Sequence, residues 1–156
     1  MSSFLAQKRK GPRPKTTSTN PHTQLDQNAS VTLQERVFDF GKSLAGVQVG
    51  RSLVSVPRAR AFHLPNCSHQ PGAFMVECEF AHLHPHHDGS LHMTLPPDII
   101  EAVIENGWAE FHPLAGKYGL PGNIVMVYGP REEQEFAVVA DLLRASHAAA
   151  SKHEQE

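Results

Sequence analysis

The stretch Phe74-Met75-Val76-Glu77-Cys78-Glu79-Phe80-Ala81-His82-Leu83-His84-Pro85-His86-His87-Asp88-Gly89-Ser90-Leu91-His92-Met93-Thr94-Leu95 decides the fold. Residues 74 to 84 read as one strand in which Phe74, Val76, Cys78 and Phe80 share a face with His82 and His84, because side chains alternate with a period of two. Pro85 to Gly89 makes a tight connection. Ser90 to Leu95 then returns as a second strand, with Leu91, Met93 and Leu95 on one side and Ser90, His92 and Thr94 on the other, so the pair is a β-hairpin. With an unbulged loop, His82 or His84 lies cross-strand from Ser90, His92 or their neighbours, and the side chains meet. A bulge of one residue would change that parity.

Elements on either side complete the pattern. Thr32-Leu33-Gln34-Glu35 is a capping box, followed by Leu33, Val37, Phe40 and Leu44 at helical spacing until Gly46, so ordered structure begins near residue 31. Val47, Val49, Leu53, Val54 and Val56 form a β-branched run ended by Pro57, and residues 59–64 extend or pair with it. The segment from Pro65 to Gly72 is a loop. Pro96-Pro97-Asp98 opens a helix whose buried stripe is Ile99, Ile100, Val103 and Ile104 and whose stop is Gly107. A long irregular stretch spans residues 109–122, and loops of that length in compact domains are more often functional than idle. Residues 124–128 form a strand, and a last helix runs from Arg131 to about Ala150 with acids at its positive end. This order predicts an α+β fold: a mainly antiparallel sheet of four to five strands, helices packed on one face, and the other face free to hold a pocket.

Composition narrows the function. The 156 residues, 40% of them hydrophobic, suit one core, expected over 31–150 between a solvated basic tail at 1–30 and a disordered C-terminus at 151–156. Lys8, Arg9, Lys10, Arg13 and Lys15 face only Asp26 in that tail, so a chain of net charge −2 has a body of −6. An acidic body is a poor nucleic-acid binder. No run approaches the roughly 18 apolar residues of a membrane span, so neither membrane nor nucleic acid is an expected partner. The expected location is the cytoplasm, although the basic tail also suits a nuclear or organelle address. There Cys67 and Cys78 would stay reduced, one as a loop thiol and one as a buried apolar residue.

The chemistry concentrates in the hairpin, where His82, His84, His86, His87 and His92 fall within eleven residues. Imidazole changes charge near neutral pH, moves protons and binds first-row metals. A 2-His-1-carboxylate metal site needs two neutral imidazoles and an acid, and His82, His84, Asp88 and His92 offer those types at hairpin spacing. Alternatively, one histidine with its tautomer fixed by Asp88 acts as a general base on an enol or phenol. As a third possibility, the histidines are a hydrophilic hairpin end. His86 at the loop tip fits that description, whereas strand histidines at the end of an apolar stripe need partners or a polar cavity. His112 belongs to the long loop; His22, His147 and His153 face solvent. Trp108 and Tyr128 offer an aromatic wall and a phenolic donor to a flat substrate. Arg131, a cation at a helix N-terminus, invites an anionic partner. Glu77 and Glu79 read as an exposed strand face.

Glu79-Phe80-Ala81-His82-Leu83-His84, His87-Asp88, Ser90-Leu91-His92, Gly107-Trp108, His112-Pro113-Leu114-Ala115-Gly116, Tyr128 and Pro130-Arg131, in this order and spacing, resemble the fungal luciferase domain and its short relatives. The resemblance covers about residues 74–149, and His86 does not fall on it. It implies an enzyme that adds molecular oxygen, as co-substrate, to an electron-rich hydroxypyrone of the 3-hydroxyhispidin type. The resulting peroxide loses carbon dioxide. His82, His84, His87, Asp88, His92 and His112 are then the catalytic candidates, and an enolate made by a histidine base needs no flavin. Light emission and the natural substrate do not carry over, because they depend on pocket walls that the shared motifs leave open. The chain lacks the amino-terminal membrane segment of the fungal luciferases, so a soluble enzyme of a small-molecule substrate is expected. Two other classes remain: a metal- or ligand-binding module without turnover, with a divalent metal on the hairpin histidines, and a small nucleic-acid-binding domain suggested by the element order alone. The oligomeric state is not readable.

Overall fold

The computed structural model describes residues 2–68 and 72–151. Its elements in chain order are α1 (Ser3–Ala6), α2 (Val31–Ser43), β1 (Gln48–Arg51), β2 (Arg60–His63), β3 (Glu79–Leu83), β4 (Leu91–Thr94), α3 (Pro97–Glu105), β5 (Ala109–Phe111), β6 (Ile124–Val127) and α4 (Glu133–Ser151). One antiparallel sheet runs in the order β1-β2-β3-β4-β6-β5. The α+β architecture is the one expected, with six strands because Ala109–Phe111 pairs with β6 at the start of the long loop.

The helices cover one face. Phe62, Phe80, Leu83, Leu91, Met93, Val125 and Val127 on the strands pack with Val37 of α2, Val103 of α3 and Val138, Leu142 and Leu143 of α4, all nearly inaccessible to solvent. The caps follow from sequence. Ser30 accepts a hydrogen bond from the Leu33 amide and starts α2 two residues before the expected capping threonine, and a proline early in α3 sacrifices only an amide that has no helical partner.

The hairpin forms in a shorter and differently faced version than expected. Its register pairs His82 directly with His92, and the His84 amide donates to the Ser90 carbonyl at 2.9 Å. Gly89 closes it with φ of +78°, where a Cβ would meet the Gln34 side chain at 2.5 Å. The strand starts at Glu79, not Phe74, and the β2–β3 register shifts between Phe62 and His63. That bulge breaks the alternation. Phe80 turns to the helical side, against Phe62 and His147, while Glu79, His82 and His84 turn to the other face.

Two further expectations are overturned. Residues 2–30, read as a solvated tail, lie against the body: Phe4, Arg9, His22 and Gln24 are buried, and the Trp108 indole N–H donates to the Gln7 carbonyl at 2.9 Å. Single apolar and polar anchors separated by turns carry no periodicity, and basic, proline-rich composition hides them. Cys67 and Cys78, expected as free thiols, are joined in a disulfide, because the loop returns so that the Leu64 amide bonds the Cys78 carbonyl. Of the expected disordered C-terminus at 151–156, Ser151 is the last residue of α4, and residues 152–156, His153 among them, lie outside the described residues. Among the described residues no helix is long and apolar enough to cross a membrane.

Candidate functional site

On the sheet face away from the helices, β3 and β4 present His82, His84 and His92, each at most 4% exposed. They border a cavity of about 590 Å³ that also takes in His22, His87, Asp88 and His112 and is walled by Val54, Val56, Pro57, Met75, Leu114, Leu120 and Ile124. A volume of this size suits a small flat molecule, and apolar walls with a few convergent polar groups are what such ligands need.

The rings meet through nitrogen. His92 Nδ1 is 3.2 Å from His82 Nε2 and 2.9 Å from His84 Nε2, and on its other side His92 Nε2 is 2.9 Å from His22 Nδ1. His112 packs at 4.6 Å from the His92 ring centre, with its Nδ1 accepting the Leu114 amide at 2.9 Å. Two sets of three, His82-His84-His92 and His22-His92-His112, are close enough to hold a metal ion.

Carboxylates back the rings from outside. Glu79, fully buried, accepts from His82 Nδ1 at 2.7 Å, from the Ser52 hydroxyl at 2.8 Å and from the Leu53 amide at 2.7 Å. Asp88 lies 3.2 Å from His84 Nδ1 and accepts from the Ser90 amide and hydroxyl, and His84 Nδ1 is also 2.9 Å from Ser90 Oγ. Glu110 accepts from His22 Nε2 at 2.8 Å, from the Thr16 hydroxyl and from the Tyr128 hydroxyl.

These surroundings set charge. Burial, then the neighbouring His84 and His82, hold the His92 imidazolium well out of reach, so the ring is neutral at ordinary pH. Burial lowers His82 as well, outweighing the hydrogen bond to Glu79. His112 is pushed down to about 4 by burial and by His22. Burial works against ionisation of Asp88, yet its bonds from His84 and Ser90 prevail and keep its carboxyl below the usual range. Burial also pushes the Tyr128 phenol up to about 12, so it stays a neutral donor.

Of the candidates from sequence, His82, His84, Asp88, His92 and His112 come together, and His87 stands exposed at the rim. His86 is exposed and bonds Glu35 at 2.9 Å, away from the others. The three substrate-binding candidates do not line the cavity. Trp108 is packed in the core with its N–H spent on Gln7, Tyr128 stands behind His22 through Glu110, and Arg131 has its anion in Glu135, one turn along α4. Sequence reasoning missed His22, Glu79 and Glu110. His22 sits alone among prolines and threonines with no motif to mark it. Glu79 precedes His82 by three, a spacing that places two strand residues on one face only across a bulge.

An antiparallel sheet covered by helices on one face, with buried imidazoles gathered on the other around an apolar-walled hollow, makes this an α+β domain with a histidine-lined cavity. Residues 77–146 match the family described as Luciferase domain. The chain is 42% identical over 71 residues to luciferases of Armillaria gallica and Armillaria ostoyae, and 41% identical over 71 residues to that of Neonothopanus nambi. Each of these matches covers 44% of this chain and 26% of the relative, so the chain matches about a quarter of the length of these curated relatives. No solved structure matches. The matching segment supplies β3 through most of α4, and it is there that the chain is similar to the fungal luciferases.

Proposed function

We propose that this protein is a luciferase-like oxygenase that adds molecular oxygen to an enolisable hydroxypyrone or related small aromatic within the histidine-lined cavity. The observation that carries this reading is the convergence of His82, His84 and His92, each backed by hydrogen-bonded neighbours, on an apolar-walled hollow that would shield a carbanion equivalent and a peroxide from water.

His82 has Glu79 on its outer nitrogen and His84 has Asp88 with Ser90, so the inner Nε2 of each is a lone pair. Such a lone pair removes the proton of a bound hydroxyl, and the carboxylate behind stabilises the imidazolium so formed. The enolate carbon then supplies the electron pair of a new C–O bond to oxygen, and return of the proton gives a hydroperoxide, with no other oxidant consumed. His112, its Nδ1 held by the Leu114 amide, turns Nε2–H outward as a neutral donor for the developing enolate oxygen. Loss of carbon dioxide and emission of light depend on the bound molecule.

Untagged protein incubated with a hydroxypyrone such as 3-hydroxyhispidin, with oxygen uptake and product mass followed, tests this reading. Turnover should fall by at least about 100-fold in His84→Ala and in His82→Ala, the ordinary worth of a general base, with far-UV circular dichroism unchanged. Full oxygen uptake in both variants, or none by the wild type, would overturn the proposal.

A further inference from the structure

The hydrogen-bond partners around the strand histidines fix where each ring carries its proton. Glu79 accepts from His82 Nδ1 at 2.7 Å, so in the neutral ring Nε2 is a lone pair. Ser90 Oγ sends its hydrogen to Asp88 Oδ1 at 2.5 Å and can only accept from His84 Nδ1 at 2.9 Å, which leaves His84 Nε2 a lone pair too. Glu110 takes the proton of His22 Nε2 at 2.8 Å; His22 Nδ1 therefore accepts from His92 Nε2 at 2.9 Å, and His92 Nδ1 becomes the third lone pair. That third nitrogen faces the other two at 3.2 and 2.9 Å.

With the tautomers so fixed, three acceptors converge in a buried place and none of the three nitrogens carries a hydrogen to give the others. Lone pairs so close repel unless something positive lies at their centre, and one shared proton satisfies a single pair and leaves the third nitrogen bare. A metal ion satisfies all three. Metal–imidazole bonds of about 2.0–2.1 Å put neighbouring ligand nitrogens about 2.9–3.4 Å apart on an octahedron or tetrahedron, the range of the two separations seen here.

We propose that His82 Nε2, His84 Nε2 and His92 Nδ1 bind one first-row divalent transition-metal ion, its remaining coordination positions open to the cavity. Imidazole nitrogen suits iron, copper, nickel and zinc. Glu79, the Asp88–Ser90 pair and the Glu110–His22 pair are its outer supports, holding each ring in the ligating tautomer. Asp88 is a support and not a ligand, because Ser90 occupies Oδ1 while His84 and the Gln24 amide face Oδ2. The other trio fails the same proton count. His92 Nε2–H is given to His22, and His112, whose Nδ1 accepts the Leu114 amide, carries its hydrogen on Nε2. This inference goes beyond the proposed oxygen chemistry and does not need it; a bound ion would take the Nε2 lone pairs of His82 and His84, so with the ion in place the hydroxyl would be ionised by coordination and not by either imidazole.

Full-length protein made without a histidine tag is stripped with chelator and titrated with Co(II), following the visible ligand-field absorption, then with Zn(II) as competitor. About one Co(II) per chain should bind saturably and be displaced by Zn(II), which imidazole sites prefer. Glu79→Gln, close in size, should weaken binding by about 10–100-fold. His84→Ala combined with His92→Ala should abolish it, and His112→Ala should keep full stoichiometry. Absence of stoichiometric uptake by the stripped wild type, or undiminished uptake in the double variant, would overturn the site, and the wild-type titration decides even if the double variant does not fold. Metal uptake without oxygen consumption leaves this site standing and removes the reaction; oxygen consumption by a chain that takes up no metal does the reverse.

Discussion

Glu35 on α2 is bound by both ends of the Arg60 guanidinium at 2.8 and 3.0 Å and by His86 at 2.9 Å. The Arg60 bonds first, and His86 second, hold its carboxyl down at about 2. Between that value and the ordinary 4.5 the unfolded chain binds more protons at this position, so unfolding free energy rises with pH across the window. The contribution is complete above the ordinary value and fades as pH falls toward 2. The site is open to solvent, so screening limits it to at most about 1 kcal/mol. Glu35→Gln should therefore lower the urea midpoint at pH 6, and the gap should narrow below pH 4.5 and close only near pH 2; a gap that stays constant with pH would contradict the pairing. His86 was legible as a loop-tip residue because proline and histidine neighbours mark the tip. Glu79 was not, since a charged residue one place from an apolar one reads as an outward strand face. Only the bulge at Phe62 and the donors Ser52 and Leu53 make it an interior acceptor.

At the scale of elements, α3, α4 and the β3–β4 hairpin were readable, because 3.6- and 2-residue periods impose a buried stripe and a turn needs its glycine. What escaped was the fit between elements, as in the bulge that re-aims Phe80 and the close approach of α2 to β2 at Gly41. A Cβ there would lie 2.6 Å from the Phe62 ring, whose own position is fixed by Phe38 and Phe80. In an open helix, glycine to alanine gains about 0.5–1 kcal/mol. Here overpacking wins, and Gly41→Ala should cost about 1–3 kcal/mol, read from urea unfolding at pH 7. A stabilised variant would mean that α2 does not ride on the Phe62 ring.

Across the whole molecule the candidate site is assembled from two parts of the chain. The segment matching the luciferase family brings Glu79, His82, His84, Asp88, His92, Glu110 and His112, and these were the legible ones apart from the two glutamates. The amino-terminal segment brings His22, and the loop after β1 brings Val54, Val56 and Pro57. Neither shows in the sequence, because a side chain that closes a cavity from a distant, aperiodic segment leaves no local pattern. The amino-terminal path is pinned at several points: Phe4 in the core, the Arg9 amide on the Asn106 carbonyl at 2.9 Å, and Gln24 accepting the Gly129 amide at 3.0 Å beside Asp88. Phe4 gives the sharpest test, since it is 3% exposed and packs with the core under α4. Removing a buried phenyl costs about 3–5 kcal/mol, and a short one-turn helix free to shift can relax toward the lower end. Phe4→Ala should therefore lose about 3 kcal/mol in urea unfolding and make the bonds after Lys10 and Lys15 quicker to trypsin in the native state. A solvated tail predicts no loss and fast cleavage in the wild type already, so stability and proteolysis together decide whether His22 is held in the cavity by a folded amino-terminal segment.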